Sequence, residues 1–246
     1  MFTIPDDVHV ISLDIWNTLL RGNPAYTGPR LQVIFDQLGL HNLDTSALLD
    51  TYRRVDRFLD AESERTGIDY GMGERLYHMF RLLHIPYSLP KDAFMSDLPD
   101  EHEIREIQEH TGRLRLRPEY MPTLIEPDLL ATLQTLRERG YKIMTISNTG
   151  MDNEVVMEAV LRKLGIWDFL DVSVFSCQEG IAKPNEKIFT DAALRVGHHP
   201  EEILHIGDNV VADYQAWYTG MRAAVYDPEG SSGLPHVKSL RELISV

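Results

Sequence analysis

The sequence is poor in features that would staple the chain, anchor it in a membrane or send it out of the cell. Cys177 is its one cysteine, which excludes an intrachain disulfide and a cysteine-ligated zinc cluster and suits a reducing compartment. No apolar run approaches the roughly 18 residues that a bilayer span needs. The opening MFTIPDDVHV lacks the basic-then-apolar order of a secretion signal. A soluble, cytoplasmic protein without a membrane partner is expected. Basic residues are outnumbered, 24 Lys and Arg against 38 Asp and Glu, for a formal charge of −14. That sign repels a phosphate backbone and argues against nucleic acid as a partner. A small anionic substrate is compatible with it where a cation neutralises the charge locally. No glycine-rich loop ending Gly-Lys-Ser/Thr is present, against a nucleotide kinase or GTPase. Gly71-Met72-Gly73 lacks the third glycine and the preceding strand of a dinucleotide site.

What remains is an ordinary globular composition, 43% hydrophobic and 25% charged over 246 residues, a length that suits one core plus an insertion. Short runs rich in β-branched and apolar residues predict strands at 8–13 (VHVISL), 141–146 (YKIMTI), 171–175 (DVSVF), 203–206 (ILHI) and 222–226 (RAAVY). Helical patterns at 128–139, 153–164, 186–196 and 211–219 lie between them. The alternation predicts an α/β fold, a three-layer Rossmann-like parallel sheet with helices on both faces. Residues 21–117 differ. Amphipathic segments at 28–38, 46–65, 72–83 and 100–110 predict a helical cap inserted after the first strand, with Leu48, Tyr52, Val55 and Leu59 as one apolar stripe. Residues 1–20 and 118–246 then form the core.

In parallel sheets ligands bind outside the carboxyl ends of the strands, and polar residues cluster at those ends here. Asp14 through Thr18, Ser147-Asn148-Thr149-Gly150, Lys183-Pro184 and Gly207-Asp208 with Asp213 five residues on come from four separate segments. Taken singly, each reads as a strand end, a helix cap or a surface loop. In order along alternating strands, they form a set that resembles the haloacid dehalogenase superfamily of phosphatases, phosphomutases and dehalogenases. The resemblance covers residues 8–19 and 128–227 and does not extend to the cap.

The resemblance implies Asp14 as a nucleophile forming an aspartyl intermediate and Thr18 as a hydrogen-bonding residue closing the first motif. It implies Ser147, with adjacent backbone and Asn148, as a binder of the transferred phosphoryl oxygens, and Lys183 as a charge-stabilising cation. Asp14, Asp208 and the Trp16 backbone carbonyl would ligate Mg²⁺, with Asp213 as a further carboxylate at or behind the ion. The physics agrees: a carboxylate attacking a phosphoryl group must overcome anion–anion repulsion, and a hard divalent cation with an ammonium group relieves it. The substrate class is then a small phosphorylated molecule.

One position departs from that pattern. Phosphatases of the superfamily carry a second aspartate two residues after the nucleophile, as general acid and base; here it is Trp16, which has no titratable proton near neutral pH. Three readings follow: a phosphatase that manages without that acid, a 2-haloacid dehalogenase, whose aromatic residue at that position faces a halide needing no proton, and a catalytically weak module binding a phosphorylated ligand or a protein. Gly207-Asp208…Asp213 favours the first over the second. Arg53 and Arg57 are read as a solvated face paired with Asp56 and Asp60. Arg113, Arg115 and Arg117 are read as an extended hinge whose arginines face either solvent or the crevice. His102 and His110 do not have zinc-protease spacing, and His205 is read as a hydrogen-bonded core residue.

Overall fold

The computed structural model describes residues 2–41, 43–85 and 99–245. Its main sheet has six parallel strands in the order β5-β4-β1-β6-β7-β8. These are β1 (Val10–Leu13), β4 (Lys142–Ser147), β5 (Val172–Phe175), β6 (Ile203–Gly207), β7 (Arg222–Tyr226) and β8 (His236–Val237). β1 is buried along its length because it is covered on both faces, as central parallel strands are. Its register aligns Leu13 with Thr145 of β4 and with Ile206 of β6. Asp14, Ser147 and Asp208 therefore leave the sheet along one rim. The chain passes from β1 through β4 to β5, then returns to β6 on the other side of β1. That reversal opens the crevice in which ligands bind in open α/β sheets.

Alternation along the strands divides two cores. Ile11, Leu13, Leu204 and Ile206 face a cluster with Leu133 and Leu136 of α5 (Leu129–Glu138) and Met157, Val160 and Leu161 of α6 (Glu154–Lys163). Val10, Met144, Ile146 and Ile203 face Ile188, Phe189 and Val196 of α7 (Glu186–Val196). The expected three layers are present. No helix among the described residues is long and apolar enough to cross a membrane.

The predicted helix over 211–219 is instead a 3₁₀ helix confined to Tyr214–Thr219. Asn209 accounts for the difference. Its side chain accepts the amides of Val211 and Ala212, and its carbonyl accepts that of Asp213. The first turn is thus spent folding Asp213 back over Gly207. Three short strands also escaped the sequence reading: β8 and the antiparallel pair β2 (Leu20–Arg21) and β3 (Thr123–Leu124). Two residues are too few to carry a period.

Between β2 and β3 run α1 (Thr27–Gln37), α2 (Thr45–Thr66), α3 (Met72–Leu82) and α4 (Glu101–Arg115). They share a core of their own, in which Leu48, Val55 and Leu59 of the predicted stripe meet Leu31, Phe35, Leu76 and Ile107, while Tyr52 packs at its edge. α2 starts where the Asp44 carboxylate caps the amides of Ser46 and Ala47, and ends at Gly67 with φ 68°. α4 opens with a capping box between Asp100 and Glu103 and continues through Arg115. The expected extended hinge is therefore helical over Arg113 and Arg115: one pairs with Glu109 on the surface and the other turns inward. Asp56 and Asp60 do not pair with Arg53 and Arg57. Both engage Arg75 of α3, which inserts beneath α2. Beyond the chain crossings, the loop after α2 is tied to the core: Ala182 N–H donates to the Gly67 carbonyl at 3.0 Å and Ser176 Oγ to Asp69 Oδ1 at 2.6 Å.

Candidate active site

At the rim Lys183 is 2% exposed, Asp14 6% and Asp213 2%. The Lys183 ammonium donates to Asp14 Oδ1 at 2.7 Å, to the Ile146 carbonyl at 2.8 Å and to Asp213 Oδ1. The backbone of Lys183 is clamped by Asn148, whose Oδ1 accepts its amide at 2.8 Å and whose Nδ2 donates to its carbonyl at 3.0 Å. The Lys183-Pro184 bond is cis. With its backbone clamped by Asn148, the lysine that taken singly reads as a surface loop residue, and within the ordered set as a charge-stabilising cation, reaches into the crevice.

Asp213 sits where the short turn after β6 folds back, its Oδ2 accepting the Asn209 amide at 3.0 Å. His205, mid-strand in β6 and fully buried, donates from Nε2 to Asp213 Oδ1 at 3.2 Å and accepts at Nδ1 from Ser12 Oγ at 2.8 Å. A carboxylate only accepts, and burial pushes the imidazole below its usual range, so the ring is neutral with its proton on Nε2. Asp208 is half-buried and accepts from Asn17 Nδ2 at 3.3 Å; Asn17 itself has φ 57° in the tight turn after β1. In that turn Leu20 N–H donates to the Ile15 carbonyl and Asn17 N–H to the Leu20 carbonyl, which bypass the carbonyl of Trp16.

Ligand atoms of Asp14, Asp208 and Asp213 lie within 4.8 Å of one another. Three carboxylates therefore face one ammonium. Burial, helped by Asp213 and Asp208 and opposed by Lys183, holds Asp14 up at about 7. Burial and Asp213 likewise raise Asp208. Asp213 goes the other way: Lys183 and His205 outweigh its burial and hold it below the carboxylate range. The same two carboxylates outweigh burial at Lys183 and raise it. An all-oxygen donor set with two uncompensated negative charges suits a hard divalent cation.

These residues floor a cavity of about 470 Å³ roofed by α1, α2 and α4. Trp16 and Asn148 also line it. Thr18 and Ser147 do not: both are fully buried beneath the rim, and neither hydroxyl has a hydrogen-bond partner among the described residues. The sequence reading left Arg115 open between solvent and crevice, and missed Arg30, Tyr26 and Asp152, which line the same space on the opposite wall. Arg115 Nη2 donates to Asp152 Oδ2 at 2.8 Å, and its guanidinium lies 4.0 Å from the Tyr26 ring centre and 5.1 Å from that of Trp16. The signal for Arg115 was Asp100-x-x-Glu103, which starts a helix whose frame brings residue 115 inward.

Known proteins resemble this chain in sequence and in fold. A relative named as a glyceraldehyde 3-phosphate phosphatase of Methanopyrus kandleri is 40% identical over 87 residues, 35% of this chain and 36% of that protein. The human haloacid dehalogenase-like hydrolase domain-containing protein 3 is 26% identical over 85% of this chain and 77% of its own length. The match thus spans only about a third of the archaeal protein but most of the human one. A crystal structure of a phosphatase of the haloacid dehalogenase type from Thermococcus onnurineus superposes with a TM-score of 0.63 at 20% identity, over 96% of this chain and 95% of that one, which speaks for the fold. The family model for haloacid dehalogenase-like hydrolases matches residues 8–217. The chain, with its α/β core of six parallel strands, belongs to the haloacid dehalogenase-like hydrolase family.

Proposed function

We propose that the chain is a cytoplasmic, Mg²⁺-dependent phosphatase acting on a small phosphorylated metabolite through an aspartyl intermediate on Asp14. The observation that carries this is the meeting of Asp14, Asp208 and Asp213 around Lys183. Residues 1–20 and 118–246 are the catalytic core, and 21–117 a cap that encloses substrate and excludes water.

Lys183 holds Asp14 by Oδ1, leaving Oδ2 for attack on phosphorus. The new Asp14 oxygen–phosphorus bond forms as the ester oxygen–phosphorus bond breaks. The departing alkoxide takes a proton from water, since Trp16 has none to give. Water then attacks the aspartyl phosphate at phosphorus, releasing inorganic phosphate and the free carboxylate. Asp14, Asp208 and the Trp16 carbonyl are the residues to hold Mg²⁺, which when bound supplies charge neutralisation for the two anions. Asp213, spent on Lys183, His205 and the Asn209 amide, stands behind them as a positioning residue. Asn148 acts on Lys183 through its backbone clamp. Ser147, beneath the cavity floor with a buried hydroxyl that has no partner among the described residues, is assigned as a donor to a phosphoryl oxygen only where the floor opens to the bound substrate. Thr18 is left with the turn after β1.

The dehalogenase reading rests on aromatic Trp16 alone, and three convergent carboxylates count against it. The test is a parallel assay, with Mg²⁺ and with chelator, of phosphate release from a phosphoester panel and halide release from 2-haloacids. Metal-dependent phosphate release that Asp14→Asn abolishes in a folded protein is expected. Metal-independent halide release, or full activity of Asp14→Asn, overturns the proposal.

A further inference from the structure

The roof of the cavity holds an imbalance that the phosphoryl chemistry leaves unused. Arg30 and Arg115 are 5% and 6% exposed, and both line the cavity. Together they carry ten N–H donors. Among the described residues they make two hydrogen bonds, Arg30 Nη2 to Tyr52 Oη at 2.8 Å and Arg115 Nη2 to Asp152 Oδ2 at 2.8 Å. Arg30 Nη1 stands 3.9 Å from Asp152 Oδ1, too far for a third. The Nε of each has no hydrogen-bond partner among the described residues. One buried carboxylate, Asp152, thus serves two buried guanidinium groups, and most of their N–H donors make no hydrogen bond among the described residues.

Arg75, in the same roof, shows what a satisfied arginine looks like here: it engages Asp56, Asp60 and the Tyr70 carbonyl. Buried charges are ordinarily paired, and an unpaired one is costly. Arg115 also packs against the rings of Tyr26 and Trp16, which restricts its guanidinium at the cavity wall and lowers the entropic cost of a further contact. Trp16, two residues from Asp14, lines the same cavity as Asp14 and Arg115.

We propose that Arg30 and Arg115 form an anion subsite, and that the substrate carries, besides the phosphoryl group transferred to Asp14, a second anionic group, a carboxylate or another phosphate, at the far end of a short carbon skeleton. This rests on the phosphatase reading and narrows it. A phosphorylated acid or a bisphosphate is favoured over a phosphorylated aldehyde or alcohol. The fork geometry of guanidinium matches either oxyanion.

Non-hydrolysable ligands test the subsite without turnover. The full chain with Mg²⁺ is titrated calorimetrically with propylphosphonate, 3-phosphonopropionate and propane-1,3-diphosphonate. The expected result is that one or both doubly anionic ligands bind at least about tenfold tighter than propylphosphonate, the range of a charge-assisted hydrogen bond. The one that gains more identifies carboxylate or phosphate. Arg115→Met and Arg30→Met are expected to collapse that gain to within about twofold, and Arg115→Lys to keep part of it. Equal binding of all three ligands, a gain that survives both substitutions, or an equal loss for all three ligands overturns the subsite and marks the arginines as structural. Failure of all three to bind overturns the phosphoryl site itself and with it the inference.

Discussion

Removing the one buried cation at the rim is the sharpest test of this arrangement. Lys183→Met preserves bulk but takes the ammonium from Asp14, Asp213 and the Ile146 carbonyl. Two nearly inaccessible carboxylates are then left without their partner, with Asp208 close by. Breaking a buried pair from one side costs about 3–5 kcal/mol, a large share of a domain's total of about 5–15 kcal/mol. For a chain of this size that corresponds to a fall in Tm of about 6–20 °C.

The deficit also has a pH dependence. In the native chain Asp213 is held below its usual range, so its ionised form stabilises at pH values above the unfolded carboxylate range, and that contribution is lost only on strong acidification. Without Lys183, burial dominates and the folded value rises above the unfolded one. Ionisation then penalises the fold as pH climbs. The deficit is therefore widest near pH 8 and narrows toward pH 5. The assay is urea unfolding in chelator at several pH values, with Lys183→Met/Asp14→Asn alongside, which should recover part of the loss by removing one orphaned charge. A deficit below about 1 kcal/mol, or one independent of pH, would refute the electrostatic reasoning.

Three further predictions follow from other parts of the molecule. Trp16→Asp restores an acid two residues from the nucleophile and should raise kcat/KM for phosphoesters, the effect of a general acid being about 10²–10⁴-fold; no gain in a folded variant counts against the missing-acid argument. Gly207→Ala places a methyl group where the Asp213 carboxyl lies, so a loss of about 1–3 kcal/mol in stability is expected from overpacking, together with a fall in hydrolysis of at least about tenfold; unchanged calorimetry and rate would show that the turn yields freely. Burial pushes the Cys177 thiol up to about 11, leaving a thiolate fraction on the order of 10⁻³ at pH 8 against about a quarter for an ordinary thiol. Alkylation by iodoacetamide should run on the order of a hundredfold slower in the folded chain than in urea, and equal rates would exclude that environment.

The apolar runs before Asp14, Ser147 and Asp208 were enough to read a parallel sheet, because a strand covered on both faces must be apolar throughout. The order of polar residues at their ends was enough to read the family. The amphipathic periods between residues 27 and 110 were enough for a helical insertion, since each helix needs one face to bury.

What the sequence by itself determined is therefore whatever a local period or an ordered motif encodes: strand and helix identity, the polar residues that end the strands, and the family they mark. Tertiary structure alone decided which side chains share one space. Only the β4-β1-β6 order sets Asp14 beside Asp208. Only the Asn148 clamp turns Lys183 inward. Arg30 and Arg115, 85 positions apart in the sequence, become neighbours only because α1 and α4 pack over the loop that carries Asp152. Charge pairing depends on distance in space, and no local pattern records that distance.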